Sequence, residues 1–257
     1  MLKRKDSWKI IYQVLGIQKE LRLIKDVFKG ESKHCHLGPL YHTDLLNLVL
    51  DPNDQLALNS ADKIGMAYQL MHAIFHMHSQ SITNGDIKPE NVFCNFTNRD
   101  ATGPLLFLSD FRGGIDHSED FVPLQITTTQ NYRFRQDDVA SKRAYEEGNR
   151  ELYKKIEEKA DIFAACSLIC SIFIHEIPYE DEPGSQNWST KENLQEELIM
   201  AGLSIDTAKL VIQGLEIDYE KRPGVLEILN VIQHDLATLS PDRYQILHHL
   251  SLLLQEV

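Results

Sequence analysis

SITNGDIKPENVF, residues Ser81 to Phe93, sets Asp86, Lys88 and Asn91 within six positions, with Pro89 stiffening the backbone between the last two. Upstream runs KIGMAYQLMHAIFHMH (Lys63–His78), apolar on most sides and so read as a helix largely buried in a lobe. Downstream, LLFLSDF (Leu105–Phe111) reads as a strand carrying a second carboxylate, Asp110, near its end. An acid, an amine and an amide on one loop suit phosphoryl transfer, which asks for positioning and charge neutralisation more than for covalent work. Asp86 can accept the proton of an attacking hydroxyl, and Lys88 can steady a γ-phosphate. The Asn91 oxygen can ligate Mg²⁺, and Asp110 is the obvious source of the carboxylate that this ion prefers.

The rest of the chain frames that loop. Helical spacing of Trp8, Ile11, Leu15, Leu21 and Ile24 predicts a helix from Asp6 to about Ile24. HCHLGPL (His34–Leu40) reads as a short strand, and TDLLNLVL (Thr43–Leu50) as a short helix stopped by DPND. Ser60 reads as the N-cap of the next helix, with Lys63 where a capping box would want Glu, so no box is expected. From Gly113 to about Arg135 the chain is polar and irregular. SKRAYEEGNRELYKKIEEK (Ser141–Lys159) reads as a charged helical insert with a solvated face. Helices then follow over 160–175, 193–201, 204–215, 224–238 and 243–254.

Bulk properties narrow the class. With 257 residues, 42% hydrophobic and 25% charged, the chain is an ordinary soluble globular protein. No apolar run approaches a membrane span, and Lys3, Arg4 and Lys5 precede no apolar stretch of the kind a secretory signal needs. A formal charge of −12 argues against binding nucleic acid or anionic lipid. Four cysteines are too few for a disulfide framework. Cys166 and Cys170 are read as buried reduced thiols, which points to a reducing, cytoplasmic setting. His72, His76 and His78 lack a carboxylate or thiol at ligand spacing and are read as structural.

GDIKPENVF followed by LSDFRGG resembles the catalytic and metal-binding loops of eukaryotic-type Ser/Thr protein kinases. The resemblance implies Asp86 as catalytic base, Lys88 as phosphate contact, and Asn91 and Asp110 as metal ligands. TTTQNYR resembles the substrate-docking segment, with Thr129 in the position that contacts the catalytic Asp and Lys. KADIFAACSLICSIF resembles the central lobe helix, in which Asp161 holds the catalytic-loop backbone. DYEKRPGVLEIL resembles the segment in which Arg222 makes a buried ion pair. MLKRK and QKELRLI resemble the third strand and C-helix of the small lobe, with Lys3 the ATP-orienting lysine, Lys5 its rival, and Glu20 its partner.

The pattern is broken at several places. No glycine-rich loop precedes Lys3, so either the protein starts upstream and Met1 is internal, or the fold is reduced. Asn84-Gly85 replaces the usual His-Arg, and Arg112 replaces the metal-loop glycine. The Glu that should pair with Arg222 reads Gln136, with Asp137 or Asp138 as stand-ins. The expectation is an α+β fold of protein-kinase type, with a truncated small lobe over 1–40 and a mainly helical large lobe over 41–257. Its implied function is transfer of the ATP γ-phosphate, with Mg²⁺, to Ser or Thr hydroxyls of a protein substrate. A partner-binding pseudokinase and a small-molecule phosphotransferase of the aminoglycoside or choline kinase type are the alternatives. A compact, divergent member of this kind would suit delivery into a host cell, with a host protein as partner.

Overall fold

The computed structural model describes residues 41–50, 58–96, 99–110, 114–118, 132–176, 178 and 192–255. The expectations for 6–24 and 34–40, and the residues Lys3, Glu20, Arg112 and Thr129, lie outside that set.

Asn59, not Ser60, caps the first long helix, α2 (Ser60–Ser79), which follows the short α1 (Leu45–Leu50). The Asn59 side chain accepts from the Asp62 amide at 2.8 Å, and Asp62 accepts from the Asn59 amide at 3.3 Å. A capping box is therefore present, one residue earlier than the sequence reading placed the cap. Asp62 sits where the helix dipole favours negative charge, and it also accepts from Arg243 Nη1 at 2.9 Å. That contact fastens α9 (Pro241–Gln255) onto the start of α2.

Short strands surround the loop that α2 feeds. Thr43–Asp44 (β1) pairs antiparallel with Val92–Asn95 (β3), which pairs with Leu105–Leu108 (β4). Thr43 and Asp44 thus belong to a strand and not to the helix read over 43–50. Ile82–Thr83 (β2) pairs with Ile115–Asp116 (β5), inside the stretch read as irregular. A four-residue helix, α3 (Arg99–Thr102), links β3 to β4.

The body is helical. After α4 (Arg135–Glu146), α5 runs for 25 residues from Arg150 to Ile174 and is buried all round from Asp161 to Phe173. It packs against α2, α4, α6 (Leu194–Met200) and α7 (Ile205–Gly214), which explains why this stretch is apolar on every face. The helix α8 (Val225–Leu239) closes the core against α2. Helix α5 begins ten residues earlier than expected, so the charged insert is not simply a solvated face. Ala144, Tyr153 and Ile156 form a second small core, and Ser141 and Glu157 are buried with it. Among the described residues no helix is long and apolar enough to cross a membrane.

Cys94, Cys166 and Cys170 are buried free thiols, and burial pushes Cys166 up to about 12, so it is inert at neutral pH. Where α7 crosses α5, a Cβ on Gly214 would stand 2.2 Å from Cys166 Sγ. Gly214→Ala should therefore overpack this crossing and cost about 1–3 kcal/mol, a drop of roughly 2–4 °C in Tm per kcal/mol. Adding Cys166→Ala should recover part of that loss. An unchanged melt for Gly214→Ala would mean that the helices are not this close.

Candidate active site

Gln80 caps the C-terminal end of helix α2, and Ser81 turns the chain through a left-handed conformation (φ 59°) into β2. Asn84 and Gly85 follow, and the Asp161 carboxylate in mid-α5 holds both. Its oxygens accept from the Asn84 amide and the Gly85 amide, each at 2.9 Å. His78 Nε2 stands 3.1 Å from the same carboxylate, which is 1% exposed. Three donors thus satisfy a buried charge that would otherwise be costly.

The unusual Asn84-Gly85 pair has a local logic. Gly85 takes φ 73°, a left-handed turn that costs glycine nothing. The Asn84 side-chain oxygen accepts from the Asp86 amide at 3.0 Å, folding the loop back on itself. Asn84 is fully buried, and its Nδ2 is the one buried side-chain polar atom among the described residues with no partner.

Asp86, Lys88 and Asn91 converge as the spacing predicts. Lys88 Nζ lies 3.1 Å from Asp86 Oδ2. Asn91 Nδ2 donates to the Asp86 carbonyl at 2.9 Å and to Asp86 Oδ2 at 3.1 Å. Lys88 is extended and Pro89 opens the single turn Pro89–Asn91, so lysine and asparagine both reach the same carboxylate oxygen, Asp86 Oδ2. The Asn91 carbonyl accepts from the Ser109 amide at 2.8 Å and from Ser109 Oγ at 2.9 Å. Asp110 follows directly in a left-handed conformation (φ 53°), uncommon for a residue with a side chain. The β3–β4 pairing, with Val92 opposite Leu108, thereby brings Asp110 to the end of the sheet where Asn91 stands.

No group of three or more His, Cys, Asp or Glu side chains suited to a metal stands together among the described residues. A magnesium ion here would draw on the Asn91 oxygen and the Asp110 carboxylate and complete its shell with phosphate and water, the mixed oxygen set that it prefers. The donor types fit. The histidines of α2 form no such cluster: burial, with His76 and His248 nearby, pushes His72 down to about 4, so it is neutral at pH 7. His78 is spoken for by Asp161, a role that nothing local in the sequence announced.

Two buried arginines fix the segment beyond the loop. Arg222 meets Asp137 through both oxygens, at 2.7 and 3.2 Å, and its Cζ lies 4.9 Å from the centre of the Phe163 ring. The main-chain oxygens of Glu216, Lys159 and Ile217 take its remaining donors. Gln136 is thus replaced by its neighbour Asp137, one of the two stand-ins expected. Arg133 makes a second buried pair, with Glu157, that the sequence reading missed.

A protein kinase domain model matches residues 11–235. The ovarian-specific serine/threonine-protein kinase Lok of Drosophila melanogaster is 27% identical over 212 residues, which are 81% of this chain and 41% of that protein. The chain therefore spans less than half the length of that relative. Among solved structures, the Rad53 kinase domain and SCD2 superposes with a TM-score of 0.54 at 17% identity, covering 84% of this chain and 72% of that one. The same protein in complex with AMPPNP gives 0.51 at 15% identity, covering 74% and 64%. At these identities the structural likeness speaks for the fold. The sequence match runs through the catalytic-loop, Asp161 and Arg222 segments, and the chain belongs to the protein kinase domain family.

Proposed function

We propose that this chain is a Ser/Thr protein kinase, transferring the γ-phosphate of ATP to a Ser or Thr hydroxyl of a protein substrate. The observation that carries the reading is the Asp86 carboxylate held between Lys88 and Asn91 on a loop whose backbone is fixed from behind by Asp161. In this reading Asp86 orients the acceptor hydroxyl and takes its proton as the oxygen attacks phosphorus. Lys88 neutralises charge that develops on the γ-phosphate oxygens. Because Asn91 uses its Nδ2 to hold Asp86, its amide oxygen is the atom left to ligate a cation, together with Asp110. Mg²⁺ bound there would offset phosphate charge and orient the leaving group. Lys3 and Glu20 are assigned to the α- and β-phosphates, and Thr129 to docking the acceptor, by resemblance alone. Residues 1–40 would form the partial small lobe and 41–257 the large one.

Asn84-Gly85 taken as bare sequence favours a partner-binding pseudokinase. The pair shapes the turn on which Asp86 stands, since Asn84 accepts from the Asp86 amide and Gly85 takes the left-handed conformation, and this supports the kinase reading.

Incubation with labelled ATP and Mg²⁺ should place phosphate on Ser or Thr of casein or another protein acceptor, and not on kanamycin or choline. Asp86→Ala should lower transfer by roughly 100-fold or more while the melting temperature changes little. Full activity in that variant would remove Asp86 from the reaction. Label appearing on the small acceptors alone would move the chain to the small-molecule phosphotransferases.

A further inference from the structure

Arg133 sits one residue past Tyr132, in the segment that faces the catalytic loop, and its guanidinium is almost wholly committed. Nη1 donates to Glu157 Oε2 at 2.8 Å and Nη2 to Glu157 Oε1 at 2.6 Å, a two-pronged pair with mid-α5. Nε donates to Asp138 Oδ1, and Nη2 also reaches Ser141 Oγ at 3.4 Å. Ser141 Oγ donates in turn to Glu157 Oε1 at 2.6 Å. Arg133, Glu157 and Ser141 are all buried. Tyr132 and Arg133 line one small cleft together with Gly85, Asp86 and Ile87, and Asp161 belongs to the same lining. The two segments thus border the same partly open cleft. On the far side Phe134 packs on Phe163 of α5, ring centres 6.4 Å apart.

Helix α5 therefore holds both sides of the same gap: Asp161 fixes the loop that carries Asp86, and Glu157, one turn earlier, fixes the segment opposite. We propose that Arg133 is a positioning residue: clamped on Glu157, it sets the distance between the 132–134 segment and Asp86, and so the place where an acceptor hydroxyl meets the carboxylate. This rests on the kinase reading of Asp86 above. The planar fork of arginine matches the two carboxylate oxygens in a way that a lysine ammonium does not.

Single removal of either charge strands the other in the interior, so the informative variant is Arg133→Met combined with Glu157→Leu, which removes both and leaves Asp138, the partner of Nε, at a partly exposed position that water reaches. This double variant should melt close to the wild-type protein and keep its KM for ATP. Its kcat/KM for a protein acceptor should fall on the order of 10- to 100-fold, the rate loss that small misplacements of reacting groups cause. Hydrogen–deuterium exchange should quicken in peptides covering 84–87 and 132–135 and stay unchanged elsewhere. Wild-type kcat/KM for the acceptor together with wild-type exchange in those peptides would overturn the proposal. Should the double variant not fold, Arg133→Lys, which keeps the charge and loses the fork, is read by the same two measurements. If the wild-type protein phosphorylates no acceptor, the kinase reading fails, and exchange alone decides whether Arg133 sets the gap.

Discussion

The Asp161 carboxylate is the constraint on which the site depends. It lies in the buried middle of α5, where an unpaired carboxylate would be driven to neutralise or to open the structure. Two backbone amides and one imidazole nitrogen meet it instead. Hydrogen bonds to a charged group contribute about 1.5–3 kcal/mol each, so the loss of any one of these donors would cost stability. The loop over 84–86 is therefore not free to choose its conformation. Its amides are held at a depth set by a rigid helix, and the chain must leave that anchor in the direction that Gly85 permits.

The rest of the geometry follows in short steps. Asn84 turns the chain so that Asp86 emerges from the anchor, and Asn91 reaches back to hold its carboxylate. Ser109 binds the Asn91 carbonyl, which ties β4, and with it Asp110, to the same frame. Farther along, Arg222 clamps the start of α4 through Asp137 while its guanidinium lies over Phe163 on α5. The loop that carries Asp86, the metal-ligand candidates and the 132–134 segment all refer to one helix. Removing either partner of such a buried pair leaves an uncompensated charge, which is why each link is held by more than one bond.

What could be read from the sequence was what is local. Asp86, Lys88 and Asn91 lie within six residues, Asp110 closes a recognisable strand, and the long apolar stretch around Asp161 could only be a buried helix. Partners distant in the chain were not legible without the family resemblance: nothing in HMH singles out His78 for a carboxylate 83 positions away. Charge composition misled at Ser141–Lys159, because Glu157 and Ser141 are buried by pairing with Arg133 and not by being apolar. The cap of α2 was missed by one residue because Asn and Ser are both good caps, and the reciprocal bond from Asp62 decides for Asn59. The two-residue strand β5 carries too few residues to show any periodicity. Asn84-Gly85 looked like damage to a motif, and the left-handed turn and side-chain hydrogen bond that give the pair its purpose are visible only in three dimensions.

In the proposed kinase reading these loops form an ATP site in which Asn91 and Asp110 hold a divalent cation. A thermal melt with ATP, with and without Mg²⁺, tests it directly. At ten times its Kd a ligand adds roughly 1.4 kcal/mol, a rise of about 3–6 °C for a domain of this size. That rise is expected with Mg²⁺ present, little of it without, and it should be lost in Asp110→Asn. A melt that ATP and Mg²⁺ leave unmoved, or a rise that ignores both the metal and Asp110, would contradict that reading.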